Sequence, residues 1–392
     1  MTPAERVHAA VSGGVPDRVP FLPKIWIDLA AGLLGEDLLE VAGDPARALE
    51  ITARAAIELK LDGARLFHLP SRNFRRERGG EIVEIDDRGK RLGTVDYLGG
   101  LSTHLDDPRS FDPRNAADVA FAQFRTADEP FIGSVAEAKA IAVPDRSFWE
   151  ACGAAGRTVR AVAGYGDSLA LLGDLGSATL SFCVTYRGME RTLYDLIDEP
   201  ALVHALMDKG AEIAIERAKF NIDAGIRILR LNDSAGNMNV ISPSAWREFV
   251  FPRFRDIAAA VKACDGGARI YCHICGNILP IAADLVTAGI DCIGPLDPLG
   301  GSTPGRLREL IGDGAALMGG IDTLSFLNGN PEAIAREAFA CMRAAGAKGG
   351  FVLGSGCAVP RSTPAENLIA ARDAALNWGK YRNGVLETRS IE

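Results

Sequence analysis

Short apolar runs with strand character recur along the chain, separated by longer stretches in which apolar residues return every three or four positions. The runs are VPFLP at 19–23, ARLFHL at 64–69, TVRAVAGY at 158–165, RILRLN at 227–232, ARIYCHI at 268–274, DCIGPL at 291–296, ALMGGI at 316–321 and GFVLGS at 350–355. Strands alternating with helices imply parallel pairing through βα units. Eight such units close most simply into an α/β fold of the (β/α)8 TIM-barrel type. An open doubly wound sheet is the alternative, weakened because no G-x-G-x-x-G turn follows the first run.

Several helices carry end signals. The periodic stretch from Ala201 stops at Gly225, which suits the position just past a helix. Thr363, Pro364 and Glu366 have the spacing of a capping box with proline at the first helical position. Ser242 and Pro243 open a further helix, PSAWREFVFPRF, which Pro252 is expected to kink or break. Residues from about 75 to 150 form an insertion between the second and third runs of a single 1–392 domain. Within it EIVEIDDRGKRLGTVDYL alternates around DDRG and predicts a β-hairpin capping one end of the barrel.

Composition adds exclusions. A 392-residue chain that is 47% hydrophobic and 24% charged can build a large core, and its net charge of −8 with no basic run disfavours nucleic acid. No apolar stretch reaches the roughly 18 residues of a membrane span, and the first residues have no signal-peptide core, so a cytoplasmic protein is expected. Eight cysteines without an export signal are expected to be free thiols. Cys152, Cys183, Cys264, Cys292 and Cys341 have surroundings that suit small buried hydrophobes, and Cys272 should face away from His273 on its strand.

The chemistry concentrates in YCHICGN and GSGCAVP. His273 and Cys275 leave the end of the fifth run with i, i+2 spacing, and Cys357 follows the eighth. Barrel enzymes work at that end of the strands, so the three side chains are predicted to converge there. Imidazole and thiolate are preferred zinc ligands, and three of them leave a fourth position for a reacting group. The competing account is a buried histidine beside unreactive thiols.

Three further motifs point to a family. PAERVHAAVSGGVPDRVPF, SPSAWREFVFPRF and GSGCAVPRSTPAENL resemble the opening, middle and closing signatures of the uroporphyrinogen decarboxylase superfamily. His273, Cys275 and Cys357 match the H-x-C and distant Cys of its corrinoid-linked zinc methyltransferase branch. The decarboxylase itself uses an R-Q-A-G-R loop near its start, whereas this chain has FLPKIWIDLAAG at 21–32. The resemblance implies Zn2+ held by the three residues and methyl transfer between a corrinoid (cobalamin) and a small thiol or folate. The corrinoid would sit on a separate protein or be free, since no D-x-H-x-x-G signature is present. Direct transfer from a methylated small molecule, decarboxylation and a non-catalytic binding barrel are the alternatives.

Other site candidates come from strand ends. Asp233 stands where the superfamily places an acidic residue, and is a candidate catalytic group, as fourth zinc ligand or substrate partner. Tyr165 (catalytic) and Asp167 (substrate-binding) are expected at the end of the third strand, and His68 at the end of the second. Asn232 and Asn237 are candidates to line the pocket, although asparagine in such a loop is commonly a turn residue. Arg72, Arg75, Arg76 and Arg78 could neutralise an acidic cofactor or partner, or form a solvated loop, and Asp322 matches a loop position of the superfamily.

Overall fold

A computed structural model describes residues 1–387. Strand β1 (Gly63–Leu66) is followed by an excursion through β2 (Asn73–Arg76), β3 (Ile82–Ile85), β4 (Arg91–Val95), β5 (Thr103–Leu105) and β6 (Arg125–Thr126). The chain then continues through β7 (Ala170–Ser177), β8 (Ile228–Asn232), β9 (Arg269–His273), β10 (Cys292–Leu296), β11 (Ala316–Ile321) and β12 (Phe351–Ser355), with helices between them. The main sheet has the order β1-β7-β8-β9-β10-β11-β12, and its neighbours pair in parallel.

The two edges of this sheet are bound to one segment. Leu22 N–H donates to Leu353 O at 2.8 Å, Leu353 N–H to Pro20 O at 2.9 Å, and Asp62 N–H, just before β1, to Phe21 O at 3.0 Å. The first apolar run therefore lies between β12 and β1, an arrangement consistent with a TIM-like barrel. Asp62, 1% exposed, fixes that join: it accepts from Arg6 Nη1 at 2.7 Å, Arg18 Nη1 at 2.7 Å and Phe21 N–H at 2.8 Å. Its charge is buried but fully paired, the condition under which a buried carboxylate is tolerated.

Helix Pro3–Val11 starts at a capping box, with Glu5 N–H on Thr2 Oγ1 and Thr2 N–H on Glu5. Val7, Ala10 and Val11 pack with Ala170, Ile228, Cys292, Ala316 and Val352, the first residues of the strands or their neighbours. This helix fills the amino-terminal end of the sheet and leaves the carboxyl ends of the strands for chemistry.

Three expectations about helices and strands change. Residues 158–165 are not a strand but part of the helix Ala154–Tyr165, where Thr158 is buried and returns its hydroxyl to Ala154 O, while Val159 is exposed. The third strand is β7, ALLGDLGS, which is buried along nearly its whole length. Thr363 does not cap its helix: Ala365–Trp378 begins after Pro364 without a side-chain cap, and Thr363 Oγ1 is buried without a partner. Pro252 does not break its helix either. A π-turn over Trp246–Val250, with Phe251 N–H returning to Trp246 O, shifts the hydrogen-bond register just ahead of the proline, and Phe251–Cys264 continues as α-helix.

The insertion is a five-stranded sheet, order β2-β3-β4-β5-β6, in which β3 and β4 pair antiparallel across Asp86–Lys90. Arg72 anchors it: its guanidinium, almost fully buried, donates to Glu84 at 2.7 Å and to Leu101 O at 2.6 Å. Arg75 pairs with Glu77. Arg72 thus holds the insertion together rather than facing a partner. Cys264 is exposed, unlike the buried position expected for it, because it ends its helix on the solvent side.

Candidate metal centre at the strand ends

His273 is the last residue of β9, and strand alternation sends it to the same side as Tyr271 while Cys272 packs into the outer core. Cys275 follows in a turn at Gly276, whose φ of +90° favours glycine. Gly276 N–H donates to Asp297 Oδ2 at 3.1 Å, and Ser302 Oγ donates to Gly276 O at 2.8 Å, so the β10–helix loop clamps the Cys275 turn. Cys357 lies two residues past β12, and Ser355 Oγ donates to its carbonyl at 2.5 Å.

The three donors meet. Cys275 Sγ is 3.1 Å from Cys357 Sγ and 3.4 Å from His273 Nε2, and all three donor atoms lie within 4.8 Å of one another. A tetrahedral zinc with its usual bond lengths would need edges of about 3.8 Å between sulfurs and about 3.6 Å between sulfur and nitrogen. To take zinc, the sulfur–sulfur edge would open by about 0.7 Å and the edge from Cys275 to His273 by about 0.2 Å. Among the described residues no other His, Cys, Asp or Glu joins the group.

Charge at the cluster suits a metal. Burial, with the charges of Lys24 and Arg230, holds the His273 imidazole well below its ordinary pKa, so it is the neutral ligand form. A hydrogen bond from Cys275 holds the Cys357 thiol low, against burial and with help from Lys24, while the same bond pushes Cys275 up.

Lys24 was not among the expected residues. Its Nζ lies 3.3 Å from His273 Nε2, and its backbone N–H donates to Ser355 Oγ at 2.9 Å. Burial and Arg230 bring its ammonium down to about 8. It follows the first apolar run directly, so its position at a strand end was the available signal. Arg230 was also missed; its Nη1 pairs with Asp174 Oδ1 at 2.7 Å and its Nη2 reaches Asn232 Oδ1 at 2.7 Å.

Beside the cluster lies a cavity of about 740 Å³, lined by Lys24, Trp26, Phe67, Leu98, Arg230 and Asn232, among others. Asn232 is thus placed where expected, with Nδ2 on Ser177 Oγ at 3.2 Å. Asn237 is a turn residue: Nδ2 donates to Ser234 O and Oδ1 accepts from Asn239 N–H, both at 2.8 Å. Asp233 is fully buried and its Oδ1 accepts Ser181 N–H at 2.6 Å, outside the three-donor group, so it is not brought in as a fourth ligand.

The remaining candidates lie elsewhere. Tyr165 ends a helix and Asp167 follows it, because the expected third strand is helical; Asp167 lines a separate cavity of about 630 Å³ with Glu5 and His8. That cavity is at the amino-terminal end and holds neither Tyr165 nor the cluster. His68 packs against Phe220, centroids 5.1 Å apart, and Trp149 at 6.1 Å, in an aromatic cluster rather than facing the cavity. Asp322 caps the helix Thr323–Asn328 through Leu324 N–H at 2.7 Å.

The chain belongs to the uroporphyrinogen decarboxylase (URO-D) family, whose model matches residues 122–378. Curated relatives include a methylated-thiol–coenzyme M methyltransferase of Methanosarcina mazei, 28% identical over 44% of this chain and 44% of that protein. A methylcobamide:CoM methyltransferase of Methanosarcina barkeri is 29% identical over 45% of this chain and 50% of its own length. A uroporphyrinogen decarboxylase of Aromatoleum aromaticum is 30% identical over 56% and 62%. The chain thus spans about half the length of the curated relatives first matched. A solved methyltransferase from Methanosarcina mazei has the same fold, with a TM-score of 0.66 over 96% of this chain and 98% of that one, at 18% identity. These relatives support the corrinoid-linked branch of the family.

Proposed function

We propose that the protein is a zinc-dependent methyltransferase that moves a methyl group between a corrinoid and a small thiol or folate. One observation carries this reading: two thiols and a neutral imidazole, from strands distant in sequence, converge beside a cavity at separations close to a zinc tetrahedron. When bound, zinc would lower the pKa of an acceptor thiol and keep it nucleophilic at neutral pH. His273, Cys275 and Cys357 would hold the metal. Lys24 places a positive charge beside them, which favours an anionic sulfur in the fourth position. Trp26, Phe67 and Leu98 supply apolar wall that limits water around the reacting atoms.

The corrinoid would come from a separate protein or as the free cofactor, and the thiols require a reducing, cytoplasmic setting. Incubation of the zinc-loaded protein with methylcobalamin and a panel of thiols and folates tests the reading through the corrinoid spectrum. Demethylation that stops on chelation is expected; no transfer to any acceptor would contradict it. Decarboxylation is the second reading, favoured by the 225-residue match to a decarboxylase, but it gives the two converging thiols no task.

A further inference from the structure

The imidazole of His273 has two nitrogens, and its surroundings give each one role. Nε2 faces the cluster, 3.4 Å from Cys275 Sγ and 3.3 Å from Lys24 Nζ. An ammonium only donates, so Nε2 accepts and a neutral ring carries its proton on Nδ1. Nδ1 lies 3.0 Å from Tyr271 Oη, which therefore accepts that proton's hydrogen bond. The same phenol oxygen receives Arg65 Nη2 at 3.3 Å, and the Arg65 guanidinium stands 5.3 Å from the Tyr271 ring centre.

Arg65 is difficult to explain as a packing residue. It is 4% exposed, and its Nε and Nη1 have no hydrogen-bond partner. Its other contact is Met318 Sδ at 3.8 Å, and among the described residues no carboxylate pairs with it. Of the other buried arginines, Arg72 has Glu84 and Arg230 has Asp174, while Arg217 donates to the Ala120 carbonyl. An unpaired buried cation is costly unless something nearby balances it. Along the route from Arg65 through Tyr271 to His273, the metal site would supply that balance once an incoming thiolate makes it negative. Zinc with two thiolates and a neutral imidazole has no net charge, and a third thiolate makes the site negative.

We propose that Tyr271 and Arg65 are positioning residues for the metal centre, a proposal that rests on the zinc reading above. Tyr271 holds His273 in the tautomer that presents Nε2. Arg65, donating to the same oxygen, supplies the positive charge that stabilises the site when a thiolate enters. A histidine ligand commonly donates its second N–H to such a partner, and losing that partner weakens metal binding about 10- to 100-fold.

The test uses the full chain with Tyr271→Phe, Arg65→Met and Arg65→Lys. Zinc affinity is read by competition with a chromophoric chelator. Thiol binding is read from the visible absorption of the cobalt(II)-loaded protein titrated with 2-mercaptoethanol, whose only charge is its thiolate. Tyr271→Phe should bind zinc about 10- to 100-fold more weakly with an unchanged circular dichroism spectrum. Arg65→Met should keep its zinc affinity within about threefold but bind 2-mercaptoethanol at least about tenfold more weakly, and Arg65→Lys should restore it. Should Arg65→Met not fold, Tyr271→Phe decides, because it also disconnects Arg65 from the imidazole. Zinc uptake by the wild type with unchanged affinity in Tyr271→Phe, or unchanged thiol binding in Arg65→Met, overturns the proposal alone. A wild type that takes up no zinc overturns the metal reading and this proposal with it.

Discussion

Gly276 shows how much of the site depends on one backbone angle. Its φ is +90°, and an added Cβ would lie 3.0 Å from the side chains of both Asn237 and Asn239. Gly276→Ala is therefore expected to cost about 1–3 kcal/mol in denaturant unfolding and to weaken zinc binding by moving Cys275. His68 gives a second prediction. Burial and the Arg217 charge bring its pKa from 6.5 down to about 4. The unfolded chain then takes up a proton that the folded one refuses, so stability falls as pH drops from about 6.5 to about 4, by up to about 3 kcal/mol. His68→Phe should remove that slope from unfolding measurements made across this range; an unchanged slope would assign it to other groups. His273, Cys275 and Cys357 were legible because their residue types and strand-end spacing carry the chemistry. Tyr271 and Arg65 were not, because their roles depend on what faces them across the barrel.

Elements were legible where periodicity had a single reading. The strands after β7 match apolar runs, and the helix Pro200–Asp223 ends near Gly225, as the sequence pattern implies. The third strand was misplaced for a physical reason. TVRAVAGY has β-branched residues but presents a helix with an exposed Val159, while β7 contains two glycines and Asp174 and lacks a β-branched residue. Its burial on both faces made strand alternation invisible. The error carried Tyr165 and Asp167 to the wrong end of the barrel. At the same scale Asp62 joins three elements, and Asp62→Ala would leave the half-buried Arg18 without its carboxylate and the buried Arg6 with Asp17 alone. A loss of about 3–5 kcal/mol is expected in denaturant unfolding.

The whole molecule separates stability from chemistry. Helix Pro3–Val11 and the Asp62 network close the amino-terminal end, whereas the candidate ligands His273, Cys275 and Cys357 lie at or just past strand ends on the opposite side. Removing zinc should therefore leave the circular dichroism spectrum unchanged, and large-scale unfolding on chelation would mean that the metal holds the fold. The most direct test of the central claim is the zinc content of the protein purified under reducing conditions, compared with Cys275→Ser and Cys357→Ser. About one zinc per wild-type chain, lost in both variants, is expected for a three-ligand site. Metal-free wild-type protein, or zinc retained in both variants, would contradict it.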